Sequence, residues 1–166
     1  MNQAEVFCLI LGRNQDFIMK TTEGLSQAES VLQLPGESNC MNWILGHVAV
    51  YRDVMLTGIL QPEHMSADDV KLYAYDSKPI TAKSNSVRLD RLVKLLAQGY
   101  ETLTQWLQSN PEGLLALPPQ TIDLDTSYGS TAAEKFAFLC WHESNHVGEL
   151  HALREVALVS LGKGWN

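Results

Sequence analysis

His142 and His146 stand four residues apart in the stretch WHESNHVGELH, residues 141–151. Residues at that spacing project from one face of an α-helix, so the two imidazoles can share a single metal ion. The same segment satisfies H-E-x-x-H, the zinc signature of many metalloproteases, with Glu143 in the place of the general base. The rest of the sequence argues against a peptidase. A metzincin needs H-E-x-x-H-x-x-G-x-x-H, and here Gly148 and His151 each come one residue early. Residues 152–158 continue in helical style, and no acidic residue follows Glu155 to serve as a downstream ligand. Glu143 also lies about 100° around the helix from His142.

A third ligand is better sought upstream. His47 is flanked at helical steps by Trp43, Ile44, Tyr51 and Val54, which turns it inward. His64 sits in a polar connection beside Pro62 and Glu63, where a solvated surface position is expected. His151 falls about 180° from His142. Three inward imidazoles without partners would leave polar nitrogens unsatisfied at about 1–3 kcal/mol each. One cation would satisfy a nitrogen from each ring. Catalytic zinc-like sites commonly use three protein ligands and keep one position open. The spacing permits such a site without demonstrating it, and satisfied core histidines are the alternative. Zinc, nickel, copper and iron all suit a histidine-rich site.

Nearby residues offer supporting roles. Glu149, one turn past His146, could orient a ligand or a bound water, or make an ordinary polar contact. Tyr51, one turn beyond His47, could touch a substrate or simply pack in the core. Cys40 precedes His47 by two turns, about 10 Å along the axis, too far to ligate. Trp43 and Trp141 are expected to pack beside the histidines.

Four helical segments must position these groups. The first spans about 3–32, with Gly24 as a kink or break and Leu34-Pro35-Gly36 as its stop. The second opens at Ser38 or Asn39 and runs to about 57–60, before Pro62. The third starts near Ser84 or Ser86 and carries Leu89, Leu92, Leu96, Leu103 and Leu107 on one stripe, widened by Val93, Tyr100 and Trp106, until Asn110-Pro111. The fourth opens with the capping box Thr131-Ala132-Ala133-Glu134 and continues to about Val159, before Gly162 and Gly164. The connections 61–83 and 110–129 are too long for tight turns, which suits a bundle with crossovers. Thr121–Asp125 alternates like a short strand, yet no second strand offers to pair with it.

At 166 residues, the chain is expected to form a single domain over 1–166. Its net charge of −7 argues against nucleic acid and acidic lipid surfaces as partners. Cys8, Cys40 and Cys140 are odd in number and lack any C-x-x-C pairing, so reduced and mostly buried thiols are expected. The apolar run 6–11 is too short for a membrane span and has no features of a secretion signal. A cytoplasmic protein is the expectation.

Asn42-Trp43-Ile44-Leu45-Gly46-His47-Val48 resembles the W-x-x-x-H segment on the second helix of the DinB/YfiT-like superfamily. His142-x-x-x-His146-x-Gly148-Glu149-Leu150 is similar to its fourth-helix H-x-x-x-H-x-G-[QE]-L segment. The resemblance covers nearly the whole chain in layout. It implies an all-α, four-helix bundle in up-down-down-up order, usually a homodimer, with His47, His142 and His146 holding a divalent ion, zinc or nickel above all. His64 and His151 have no counterpart, and Glu143 falls on a variable position. Relatives include enzymes that use low-molecular-weight thiols. The resemblance therefore implies a small-molecule substrate and a metal-dependent thiol transferase whose nucleophile is a metal-bound thiolate, since a cation lowers the pKa of what it binds. A non-catalytic metal-binding or stress-response protein and a metal-dependent hydrolase are the other readings.

Overall fold

Asn2 opens the first helix with a reciprocal cap. Its side chain accepts from the Glu5 amide, and the Glu5 carboxylate accepts from the Asn2 amide, each at 2.9 Å. Helix α1 (Gln3–Thr22) then runs until the Thr21 and Thr22 hydroxyls bond back to the carbonyls of Phe17 and Ile18. Gly24, at φ 74°, turns the chain away. The first segment is thus broken in two, and Ser26 caps a separate short helix, α2 (Gln27–Ser30). The computed structural model describes residues 1–34 and 38–162. The expected stop at Pro35-Gly36 and the expected role of Gly164 lie outside the described residues.

Helix α3 (Met41–Gly58) starts later than the Ser38 or Asn39 expected as its cap. The Ser38 hydroxyl instead donates to the Leu34 carbonyl, and Cys40 takes the cap position without a side-chain bond. Nearly all of α3 is buried, as befits a helix enclosed by others. Gly58 lies so close to Ile122 that a Cβ would meet its side chain at 2.5 Å.

A helix appears where only a connection was expected: α4 (Ala67–Tyr73), capped by Ser66. Helix α5 (Leu89–Ser109) begins after the two serines expected to cap it. Ser84 is used in a turn with Thr81, and Ser86 accepts from the Gln27 side chain. The Gln27 amide oxygen then accepts from the Leu89 amide at 2.6 Å, so a residue of α2 satisfies an orphan donor of α5. The expected leucine stripe is buried throughout.

The second connection holds α6 (Gly113–Ala116) and two 3₁₀ turns, Pro119–Thr121 and Thr126–Tyr128. Residues 121–125 do not form the suggested strand. Their alternation arises because Ile122 is fully buried and Leu124 packs against the same cluster. Helix α7 (Ala132–Ser160) opens on the expected capping box at Thr131.

The fold is all-helical, with no strand among the described residues. Helix α1 packs against α5 and α7, and α3 packs against the same two. The apolar interior has two clusters, one built around Ile44, Val48, Leu92 and Leu150, the other around Leu11, Met55, Leu103 and Phe136. No helix among the described residues is long and apolar enough to cross a membrane. Cys8, Cys40 and Cys140 are free thiols, with Cys40 and Cys140 buried as expected.

Candidate metal centre

Helices α3 and α7 bring His47, His142 and His146 together, with one potential ligand atom from each lying within 4.8 Å of the others. The Nε2 atoms of His142 and His146 are 3.2 Å apart. Two nitrogens held about 2.0–2.1 Å from one tetrahedral ion would stand roughly 3.3 Å apart, so this pair has the separation a shared ion requires.

His47 is buried, and its Nδ1 lies 2.7 Å from the Tyr73 carbonyl. Nδ1 must carry the proton to donate there, which leaves Nε2 as the lone-pair nitrogen. Trp43 stacks on the His47 ring at 4.5 Å, and its indole N–H donates to Ser77. Tyr51 sits edge-on to His47 at 4.8 Å and tilted over His142 at 4.6 Å. Burial, reinforced by Tyr128 and Tyr75 nearby, raises the Tyr51 pKa and keeps its phenol protonated. Burial also lowers the pKa of His47, against the pull of the Tyr73 carbonyl. For His142, burial first and then the neighbouring His146 and His47 lower it to about 4. At neutral pH, His47 and His142 are therefore in the lone-pair form that a metal needs.

The ring nitrogens turned away from the shared point are unmet in two of the three histidines. The Nδ1 atoms of His142 and His146 are buried without hydrogen-bond partners. Glu149 approaches His146 Nδ1 to 3.4 Å, close enough for electrostatic attraction but outside hydrogen-bond geometry. Coordination through Nε2 would fix the proton on Nδ1, facing that carboxylate.

Other expectations change. Glu143, the formal base of the protease pattern, is buried and forms a bidentate pair with Arg52, at 3.0 Å from Nε and 2.7 Å from Nη2. It faces away from the triad's chemistry. Arg52 also donates to Gln15 at 2.7 Å and to the Leu96 carbonyl. One guanidinium thus joins all four long helices. Trp141 does not pack beside the histidines; it is 61% exposed, against Phe138. His64 is partly buried rather than solvated, its Nδ1 unpartnered and its amide donating to Asp53. His151 is exposed and lies against Phe17, away from the triad. Sequence reasoning missed Arg52 and Tyr73. A mid-helix arginine among apolar neighbours is the available sign of the first.

Gly46 explains how Tyr73 comes so close. A Cβ there would meet the Tyr73 ring at 2.2 Å, so only glycine admits the ring beside His47. The Tyr73 hydroxyl donates to Asn42 and accepts from the Val87 amide. Gly148, by contrast, faces open space, and a Cβ there would meet no atom within 4 Å.

A cleft of about 250 Å³ reaches His142, lined by Tyr51, Tyr75, Leu124, Tyr128 and Phe138. A larger cavity of about 660 Å³, near Met19, Leu25 and Arg88, includes none of the histidines. Size alone does not locate the chemistry.

The fold and the triad describe a helical protein with a buried histidine cluster that could hold a metal ion. Residues 11–150 match the sequence profile of the DinB superfamily, and the chain belongs to that family. No curated protein matches this sequence.

Proposed function

We propose that the protein is a divalent-metal enzyme that joins a low-molecular-weight thiol to a small electrophile, with His47, His142 and His146 as ligands to zinc or nickel. The observation that carries this reading is the convergence of three imidazoles, two of them with buried and unpartnered Nδ1 atoms. A divalent ion bound there would lower the pKa of a thiol placed against it and so supply a nucleophile at neutral pH.

In the net reaction the thiol S–H proton is released and a carbon–sulfur bond forms. The electrophile either loses a leaving group with its bonding pair or opens a double bond and takes the proton on carbon. The chain's residues serve those steps by position. Tyr73 holds the His47 ring through its carbonyl. Glu149, half exposed beside His146 Nδ1, orients that ring for coordination through Nε2, and the thiol proton goes to solvent. Tyr51, over His142, meets the substrate.

Several coarser features belong to the same proposal. One domain over 1–166 adopts an up-down-down-up four-helix bundle. Supporting that order, Phe7 meets Phe136, Asn14 meets Ser144 and Arg154 reaches Thr21, so α1 and α7 advance together. Asn42 reaches Val87 and Arg52 reaches Leu96, so α3 and α5 do likewise. Arg52–Glu143 and His47–His146 pair α3 with α7 in the opposite sense. The working form is a cytoplasmic homodimer that acts on small molecules and not on nucleic acid or membranes.

One observation favours a second reading, a metal-binding protein without turnover: with Glu143 tied to Arg52, Glu149 is the carboxylate left beside the triad. It also weakens hydrolysis, which needs a general base at the attacking water.

Elemental analysis of protein purified without a His-tag tests the site. Alanine at His47, His142 or His146 is expected to reduce bound metal at least tenfold, and alanine at His151 to leave it unchanged. Stoichiometric metal in His47→Ala overturns the ligand set. The loaded protein should conjugate a small thiol to a reactive aryl electrophile faster than its triple-alanine variant; equal rates across a panel of thiols select the reading without turnover.

A further inference from the structure

We infer that the cleft beside His142 is a binding site for a flat, uncharged ring carrying a hydrogen-bond acceptor; resting on the thiol-transfer reading, that ring belongs to the electrophile.

The walls come from four parts of the chain. Tyr51 stands on α3, Tyr75 follows α4, Leu124 and Tyr128 lie in the second connection, and Phe138 and His142 stand on α7. The rings already stand at aromatic contact distances. Tyr128 and Phe138 have centroids 4.5 Å apart, and Phe138 and His142 lie 6.0 Å apart with nearly parallel planes, at 28°. A further ring entering this series finds faces and edges suited to offset or tilted stacking. The volume, about 250 Å³, fits the same guest. An apolar cavity of about 150 Å³ suffices for benzene, so one ring and a short substituent fill the cleft, and a whole peptide thiol does not.

Charge sets the second selection. The lining residues include no lysine, arginine, aspartate or glutamate. Of the three cations within three residues of a lining position, Lys78 is exposed beside a separate pocket, and the other two are committed elsewhere. Arg52, next to Tyr51, is bound to Glu143, Gln15 and Leu96. Lys135, one turn before Phe138, is buried and donates to the Ile122 carbonyl at 3.1 Å. A carboxylate or sulfonate buried here would find no side-chain cation, and burying an unpaired charge is unfavourable. The protein's net charge of −7 adds to that rejection.

The hydroxyls select the acceptor. Tyr51, Tyr75 and Tyr128 line the cleft, and none of their hydroxyls is hydrogen bonded to another described residue. Phenols without a protein partner can exchange solvent for an oxygen such as a ketone, nitro or epoxide group. Tyr75 is 77% exposed and Tyr128 nearly half exposed, which puts them at the mouth, while Tyr51 lies deeper against the imidazoles.

The test is a titration of the chelator-treated, metal-free protein with acetophenone and, separately, with benzenesulfonate, so that no ion on His142 attracts the anion, followed by the tyrosine ring signals in NMR. Acetophenone is expected to shift them saturably. Tyr128→Ala and Tyr75→Ala, both exposed enough to leave the fold intact, should each weaken it about fivefold. Benzenesulfonate should bind at least tenfold more weakly. Equal or tighter binding of benzenesulfonate, or unchanged acetophenone affinity in both variants, overturns the inference. Acetophenone binding as expected without any thiol conjugation overturns the proposed reaction and leaves the ring site standing. Conjugation without acetophenone in the cleft does the reverse.

Discussion

Two buried polar clusters share α3 and α7, where Arg52 lies five residues past His47 and Glu143 directly follows His142, and they are built on opposite principles. Around Arg52, charge meets charge: the guanidinium and Glu143 are 1% and 2% exposed, and Gln15 and the Leu96 carbonyl take further donors. Around His47, His142 and His146, two buried nitrogens have no hydrogen-bond partner, with Glu149 standing 3.4 Å from one of them. The ligand atoms of the three rings lie within 4.8 Å of one another, an arrangement that a metal ion completes. On α1, α3 and α7 the Arg52 layer also falls between residues of the two apolar clusters, between Leu11 and Ile18, Val50 and Met55, and Cys140 and Val147, and on α5 it uses the carbonyl of Leu96, beyond which Leu103 belongs to the other cluster. It fixes the mutual register of the helices, and the histidines inherit that register.

The strongest way to break this contrast is Arg52→Met. With Glu143 left buried and unpaired, stability is expected to fall by about 3–5 kcal/mol in chemical denaturation. Adding Glu143→Leu should recover most of that loss. A single variant that melts like the parent would show that the cluster is not the structural one.

Gly46→Ala attacks the support of the triad. The added methyl meets the Tyr73 ring and is expected to cost about 1–3 kcal/mol by overpacking. Because the Tyr73 carbonyl orients His47, metal affinity in a chelator competition should fall as well, by about tenfold. Gly148→Ala, which meets nothing, should leave affinity unchanged and shift stability by less than about 1 kcal/mol.

The smallest effect sharpens the contrast through pH. With its pKa lowered to about 4, His142 stays neutral in the folded, metal-free protein while the unfolded chain takes up a proton below about 6.5. His47 is displaced in the same direction. Their contribution is therefore fully present above about pH 6.5 and is lost as pH falls towards 4. Stability curves of chelator-treated protein should slope in that window, and His142→Asn should flatten them.

The two clusters also differ in how legible they are in the sequence. His142 and His146 announce themselves by local spacing, and His47 by its apolar flanks, so the triad can be read from one dimension. Arg52 needs three partners from three other helices, and nothing near it in sequence names them. Tyr73 is hidden because α4 is only seven residues long and sits in a connection rich in polar residues. Cap positions mislead for a related reason. Ser84 and Ser86 have the right chemistry, but a side chain from α2 reaches α5 first. Thr131 is legible because its partner, Glu134, lies three residues away.

Tyr73 is gripped at both ends. Its carbonyl holds an imidazole, while its phenol is clasped by Asn42 and by the amide of Val87, at the entrance to α5. The chain from 74 to 86 is therefore a tether and not slack. A tug on it draws on the phenol, tips the ring against Gly46 and arrives at His47 as a twist.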